Sequence, residues 1–146
     1  MDLLEDNFVV KMITIEEDRT YNILDITNNM KLQRNNSSKL FGYDSNKYKL
    51  IFNNITIPKN SMYIIFQIDI KINDNYYTPY SFQIIKNDYT SDNNYAKTPG
   101  CVNYLLYNNH FKYIWFYLVK ENIIKMINTT NKNNTNIKTI VDNCFI

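Results

Sequence analysis

Between residues 62 and 72 of this chain, Met62, Ile64, Phe66, Ile68, Ile70 and Ile72 alternate with Tyr63, Ile65, Gln67, Asp69 and Lys71. Side chains of a β-strand point to opposite faces in turn, so this spacing gathers six apolar groups on one face and mainly polar ones on the other. The pattern is that of an antiparallel strand with one face on a core and one toward water. On this reading Asp69 and Lys71 form an exposed pair on the solvated face.

Further strands are predicted along most of the chain. Phe8 to Ile15 and Tyr21 to Ile26 are apolar and β-branched, and Tyr48 to Ile57 closes in the turn residues Pro58-Lys59-Asn60-Ser61. Asn73-Asp74-Asn75 leads from the long strand into Tyr80 to Ile85, where Tyr80, Phe82 and Ile84 share a face, as a hairpin partner would. Residues 87 to 100 show no periodicity and form the longest loop. Cys101 to Tyr107 is a strand, and Asn108-Asn109 is a tight turn, because Asn tolerates positive φ. His110 to Val119 is apolar on both faces, which predicts a central strand covered on both sides. Lys120-Glu121-Asn122 then turns the chain into Ile123 to Ile127; Lys120 to Met126 also has fair helical propensity, but the aromatic and β-branched run before it favours strand. After the polar tract Asn128 to Asn136, a last strand ends Val141-Asp142-Asn143-Cys144-Phe145-Ile146.

Eight to ten short strands and no convincing amphipathic helix give an all-β chain, an antiparallel β-sandwich of jelly-roll type. A length of 146 residues fits one domain, residues 1 to 146, and folding at this size buries roughly 68 to 70% of the unfolded surface.

The charge is nearly balanced, 16 Lys and Arg against 14 Asp and Glu for a net +2, and reads as scattered. Neither a nucleic acid nor a membrane is therefore expected as a partner. The first residues, Met1-Asp-Leu-Leu-Glu-Asp-Asn, have no basic or apolar leader region, and no membrane-spanning run occurs, so the host cytoplasm is the expected compartment. Asn-x-Ser/Thr triplets begin at Asn35, Asn36, Asn54, Asn128 and Asn133, but a chain this rich in Asn produces some by chance. Abundant Asn, Ile, Tyr and Lys beside only two Gly are what an AT-rich genome encodes, such as that of a large DNA virus, a protozoan or a low-GC bacterium. Cys101 and Cys144 allow one disulfide in an oxidising compartment and are equally ordinary as reduced thiols.

Few residues here demand a chemistry. His110 is the single histidine and sits beside a turn, so a His-rich metal site is excluded and a catalytic triad has one possible base. Gly42 and Gly100 are too few and too far apart for a phosphate-cradling loop. Glu16-Glu17-Asp18 offers carboxylates to a cation, yet a calcium cage wants six or more oxygens from several segments, and such a triplet is ordinarily a solvated strand end. Cys101 lacks an evident base and is read as structural. No catalytic residue, cofactor or metal is assigned, and the chain is read as a non-enzymatic protein. Thirteen Tyr, eight Phe and one Trp exceed what a catalytically silent sandwich needs to fill its interior, and the surplus points to binding or assembly.

From Tyr48 to Ile146 the chain resembles the tumour necrosis factor ligand family. Ser61-Met62-Tyr63-Ile64-Ile65-Phe66-Gln67-Ile68 is similar to that family's Gly-x-Tyr-φ-φ-Tyr-x-Gln-Val strand, where φ is an apolar residue. Phe116-Tyr117-Leu118-Val119-Lys120-Glu121-Asn122-Ile123-Ile124 is similar to its Phe-x-Leu-x-x-Gly-Asp-x-Ile segment, and Asn143-Cys144-Phe145-Ile146 occupies the place of its last strand. Complement-type globular heads share the pattern. The resemblance implies a homotrimeric jelly roll, with Phe66 and Phe111 at the subunit interface and receptors docking between subunits, and secretion to reach them. Three functions follow as expectations. The first is a ligand-like or decoy protein that engages a host receptor or immune-signalling protein. The second is a viral structural or assembly jelly roll, and the third is an intracellular inhibitor that offers the loop 87 to 100 to a host protein.

Overall fold

The computed structural model describes residues 3–36, 46–85, 95–97, 102–107, 109–129 and 136–146. The chain is all-β, with two antiparallel sheets, the fold class of an antiparallel β-sandwich. Strands β1 (Phe8–Glu16), β2 (Tyr21–Asp25), β5 (Ser61–Ile72) and β6 (Asn75–Ile85) form one sheet in the order β2-β1-β5-β6. Strands β3 (Lys31–Asn36), β4 (Asn46–Thr56), β7 (Tyr95–Lys97), β8 (Val102–Tyr107) and β9 (His110–Val119) form the other in the order β3-β4-β9-β8-β7. The chain divides into two compact units, residues 1–28, 57–90 and 131–146 in the first and residues 29–56 and 91–130 in the second.

In the first unit, β5 pairs with β1 on one side and β6 on the other. Asn73 and Asp74, at φ 48° and 65°, make the two-residue turn into β6, and two successive positive φ values define the type I′ hairpin that matches strand twist. Residues 80, 82 and 84 pair in register with Ile68, Phe66 and Ile64, so β6 is the hairpin partner that the sequence predicts.

The polar face of β5 is not solvated. All seven residues from Ile64 to Ile70 are buried, Gln67 at 6% exposure and Asp69 at 2%, so Asp69 is not half of an exposed pair with Lys71. Part of the cover is a helix, α2 (Ile137–Asn143), where a final strand is expected from the sequence. Ile137, Ile140, Val141 and Cys144 recur at helical spacing and pack, with Phe145, on Ile13, Ile15, Ile65 and Tyr63. The Asn136 side chain caps the helix by accepting from Lys138 N–H at 2.9 Å. Tyr63 and Phe145 meet edge to face, with centroids 5.3 Å apart.

In the second unit, β9 is central, between β4 and β8. Tyr48, Leu50 and Phe52 are buried at even positions of β4, and the burial then jumps to Ile55. Asn54, at φ 55°, breaks the alternation there, with the register against β9 unbroken. The jump recurs opposite it in β9, from Phe111 to Ile114, Phe116 and Leu118, so the two strands change phase together and the buried face stays continuous. The other face of β9 is only partly buried: Tyr113, Trp115 and Tyr117 are partly exposed, which corrects the expectation of burial on both sides.

Two more expectations change in this unit. Lys120 to Thr129 is helix α1, not a turn and a strand, with Ile123 fully buried and Ile127 one turn on. Strand β3, Lys-Leu-Gln-Arg-Asn-Asn, carries no hydrophobic alternation because it is an edge strand whose charged side chains face water. Within the expected loop 87 to 100, Tyr95–Lys97 pairs as β7, and the other residues of that loop lie outside the described ones.

A β-branched residue at the Asn54 backbone angle should cost about 1 to 2 kcal/mol. Asn54→Val is therefore expected to lower the urea midpoint, while Asn54→Gly leaves it nearly unchanged. Asn136→Ala should cost about 1 kcal/mol through loss of the cap. Urea unfolding of the three variants beside the parent checks these values.

Candidate binding surfaces

In the second unit, residues opposite each other in register share a face. Tyr113, Trp115, Tyr117 and Val119 of β9 stand opposite Asn53, Ile51, Lys49 and Lys47 of β4, and Ile51 and Lys49 stand opposite Lys31 and Gln33 of β3. Asn103 and Leu105 of β8 extend the face on the other side. Lys31, Lys47, Gln33 and Asn53 are exposed and the three aromatic residues partly so.

The rings are organised. Tyr113 stacks on Trp115 with centroids 4.4 Å apart and planes 11° from parallel. The Lys49 ammonium lies 4.0 Å from the Trp115 centroid and 5.4 Å from that of Tyr117, bridging the two by cation–π attraction. Lys112 stands 4.8 Å over Tyr107 in the same manner.

Charge distinguishes this sheet. Its five strands contain Lys31, Arg34, Lys47, Lys49, Lys97 and Lys112 and no Asp or Glu. The second unit holds nine Lys and Arg against three Asp and Glu, a net +6, and the first unit seven against eleven, a net −4. The balanced total of +2 thus hides a segregation that a count by segment exposes, and the charges are not scattered.

The first unit carries a different feature, a cleft of about 470 Å³ lined by Val9, Lys11, Asp25, Asp69 and Tyr76. Lys11 lies opposite Asp25 on one side and Gln67 on the other. Both Asp69 carboxylate oxygens accept from Gln67 Nε2 at 3.1 Å, which satisfies a charge that would otherwise be costly to bury. Asp25 accepts from Thr27 N–H at 2.9 Å. The Thr27 hydroxyl, its N–H and the nearby Lys11 hold the Asp25 carboxyl below its ordinary value, against a smaller upward push from burial.

Phe66 and Phe111 are each 0% exposed within a single chain, so neither ring has surface left for a second copy. Cys144 is a free thiol, donating to Ile140 O at 3.4 Å and raised in pKa by burial, while Cys101 lies outside the described residues. His110 is partly buried, edge-on to Tyr107 at 6.3 Å.

Glu16, Glu17 and Asp18 enter the β1–β2 hairpin turn. Thr20 Oγ1 lies 2.7 Å from Glu16 Oε2 and 2.6 Å from Asp18 Oδ1, and Thr20 N–H donates to Asp18 Oδ1 at 3.0 Å. The Thr20 hydroxyl, then its N–H, lowers the Asp18 pKa. Among the described residues no group of three His, Cys, Asp or Glu is placed to hold a metal ion, and no helix is long and apolar enough to cross a membrane.

The chain matches no protein-family model, no curated protein and no solved structure.

Because the folded pKa of Asp25 lies below its unfolded value of 3.8, its contribution to stability is present above that value and lost as pH falls through the folded one. Thr27→Val should move the carboxyl titration back up toward 3.8, as followed by side-chain NMR. An unmoved titration would mean that Thr27 is not what holds it down.

Proposed function

We propose that this chain is a non-enzymatic binding module that engages an acidic macromolecule through the outer face of its lysine-bearing sheet. The observation that carries this reading is the row Tyr113, Trp115 and Tyr117, partly exposed and bordered by Lys31, Lys47 and Lys49, on a sheet whose strands contain no carboxylate. Tyr and Trp dominate the energetic centres of interfaces, and rings held by stacking lose little side-chain freedom on binding. Positive charge around them favours encounter with an acidic partner and rejects a basic one.

Retention on a sulfonate cation-exchange resin at pH 7 tests whether this face is the contact surface. Lys31→Gln with Lys47→Gln should bring elution to clearly lower salt. The charge-matched control, Lys59→Gln with Lys138→Gln on the acidic unit, should shift it much less. Equal shifts from the two pairs would remove the reading.

The resemblance to the tumour necrosis factor ligand family adds to this reading a homotrimer that engages a host receptor or immune-signalling protein. Light scattering at micromolar concentration checks that part. A species of three times 17.5 kDa supports the trimeric ligand, and a stable 17.5 kDa species removes it while leaving the binding module standing.

A further inference from the structure

We infer that the acidic partner of the lysine-bearing sheet is a single-stranded nucleic acid, with Tyr113, Trp115 and Tyr117 as the base platform and Lys31, Lys47 and Lys49 as phosphate contacts. The inference rests on the binding-module reading and names its ligand class.

Single strands are held by two features together, a positive surface that follows the backbone and aromatic rings that take the bases. Either alone is common; here both lie on one sheet face. The platform runs along the central strand β9, where alternate residues rise about 6.6 to 6.8 Å, so the three positions span roughly 13 Å of backbone, with Tyr113 and Trp115 stacked into one unit and Tyr117 beyond it. The lysines flank it on the β4 and β3 side, opposite Val119, Tyr117 and, through Ile51, Trp115. Gln33 and Asn53 place amide groups around the same rings, able to donate to and accept from base edges.

A double helix fits this face less well. Its bases are already stacked, so the rings would have nothing to receive, and only the phosphate contacts would remain. An acidic protein would use the lysines but has no flat π-faces in series for the rings. The position of Lys49 is also suited to a nucleic acid. Its ammonium lies 4.0 Å from the Trp115 centroid, so a phosphate bound to it sits beside the rings.

Trp115 is the one tryptophan of the chain, so its fluorescence reports from the platform itself. The experiment is a titration of the full chain with a twenty-residue oligothymidylate, with polyglutamate of equal charge and the corresponding double-stranded oligonucleotide as comparisons. The expected result is saturable quenching by the single strand. Three phosphate contacts predict an affinity about 20-fold weaker at 200 mM salt than at 50 mM. Lys31→Gln with Lys47→Gln should flatten that salt dependence. Tyr113→Ala should weaken binding at least about fivefold, the loss of one stacked base. Unchanged circular dichroism of each variant shows that folding is not the cause.

Polyglutamate or the duplex binding as tightly as the single strand would overturn the nucleic-acid assignment and leave the acidic-partner reading in place. Absence of any response to all three, together with equal cation-exchange shifts for the two lysine pairs, would overturn both. Quenching that the lysine and tyrosine variants leave intact would place the nucleic acid elsewhere and overturn the assignment of this face.

Discussion

Burial of β5 on both faces is the constraint that organises the first unit. Ile64, Phe66, Ile68 and Ile70 fill one face, and each large apolar side chain removed from water contributes roughly 1.5 to 3 kcal/mol. The opposite face cannot be left as the sequence alternation alone would leave it. Ile65 needs apolar cover, which α2 provides through Val141 and its neighbours, and Asp69 needs hydrogen-bond donors, which Gln67 provides two positions away on the same face. One end of that face is therefore apolar and sealed by a helix, and the other polar and open as a cleft lined by Lys11 and Asp25.

The elements that were legible in the sequence are those whose pattern is set locally. Period-two alternation locates β5, and positive-φ residues mark its turns: Asn60 at φ 67° before it and Asn73-Asp74 after it. Both helices escape for the same reason. Ile123 to Ile127 and Ile137 to Val141 are short runs of β-branched residues, which favour a strand on propensity, and only packing against a sheet or the cap at Asn136 decides otherwise. Burial of Asp69 was illegible because what surrounds it comes from β1 and β2, more than 40 residues away in the chain. The aromatic row of β9 was visible as composition, but its exposure depends on what covers each side of a strand, which alternation cannot report when both sides are apolar.

The distribution of charge shows how a total can mislead. A net +2 describes neither unit of this molecule, because eleven of the fourteen carboxylates lie in the first unit and leave the second with an excess of positive charge. A charged partner responds to the local field within about a Debye length, near 8 Å at physiological salt, and at that range the second unit is a cation. The lysine side chains also serve the fold: Lys49 and Lys112 lie over aromatic rings, which shelters part of each ring from water while the charge stays available.

The order in which the chain is made has a consequence for the helix that covers Ile13, Ile15 and Ile65. Strands β1, β2, β5 and β6 all precede α2 in the chain, so the sheet they form can assemble during synthesis before the helix that packs on it has been made. Until that helix arrives, Ile13, Ile15 and Ile65 lack its cover, and exposed apolar surface of this kind promotes association between incompletely folded chains. Slow synthesis through the Asn-rich stretch ahead of α2 would lengthen the exposure, and yield in a cell would then depend on codon choice there as much as on the stability of the finished fold.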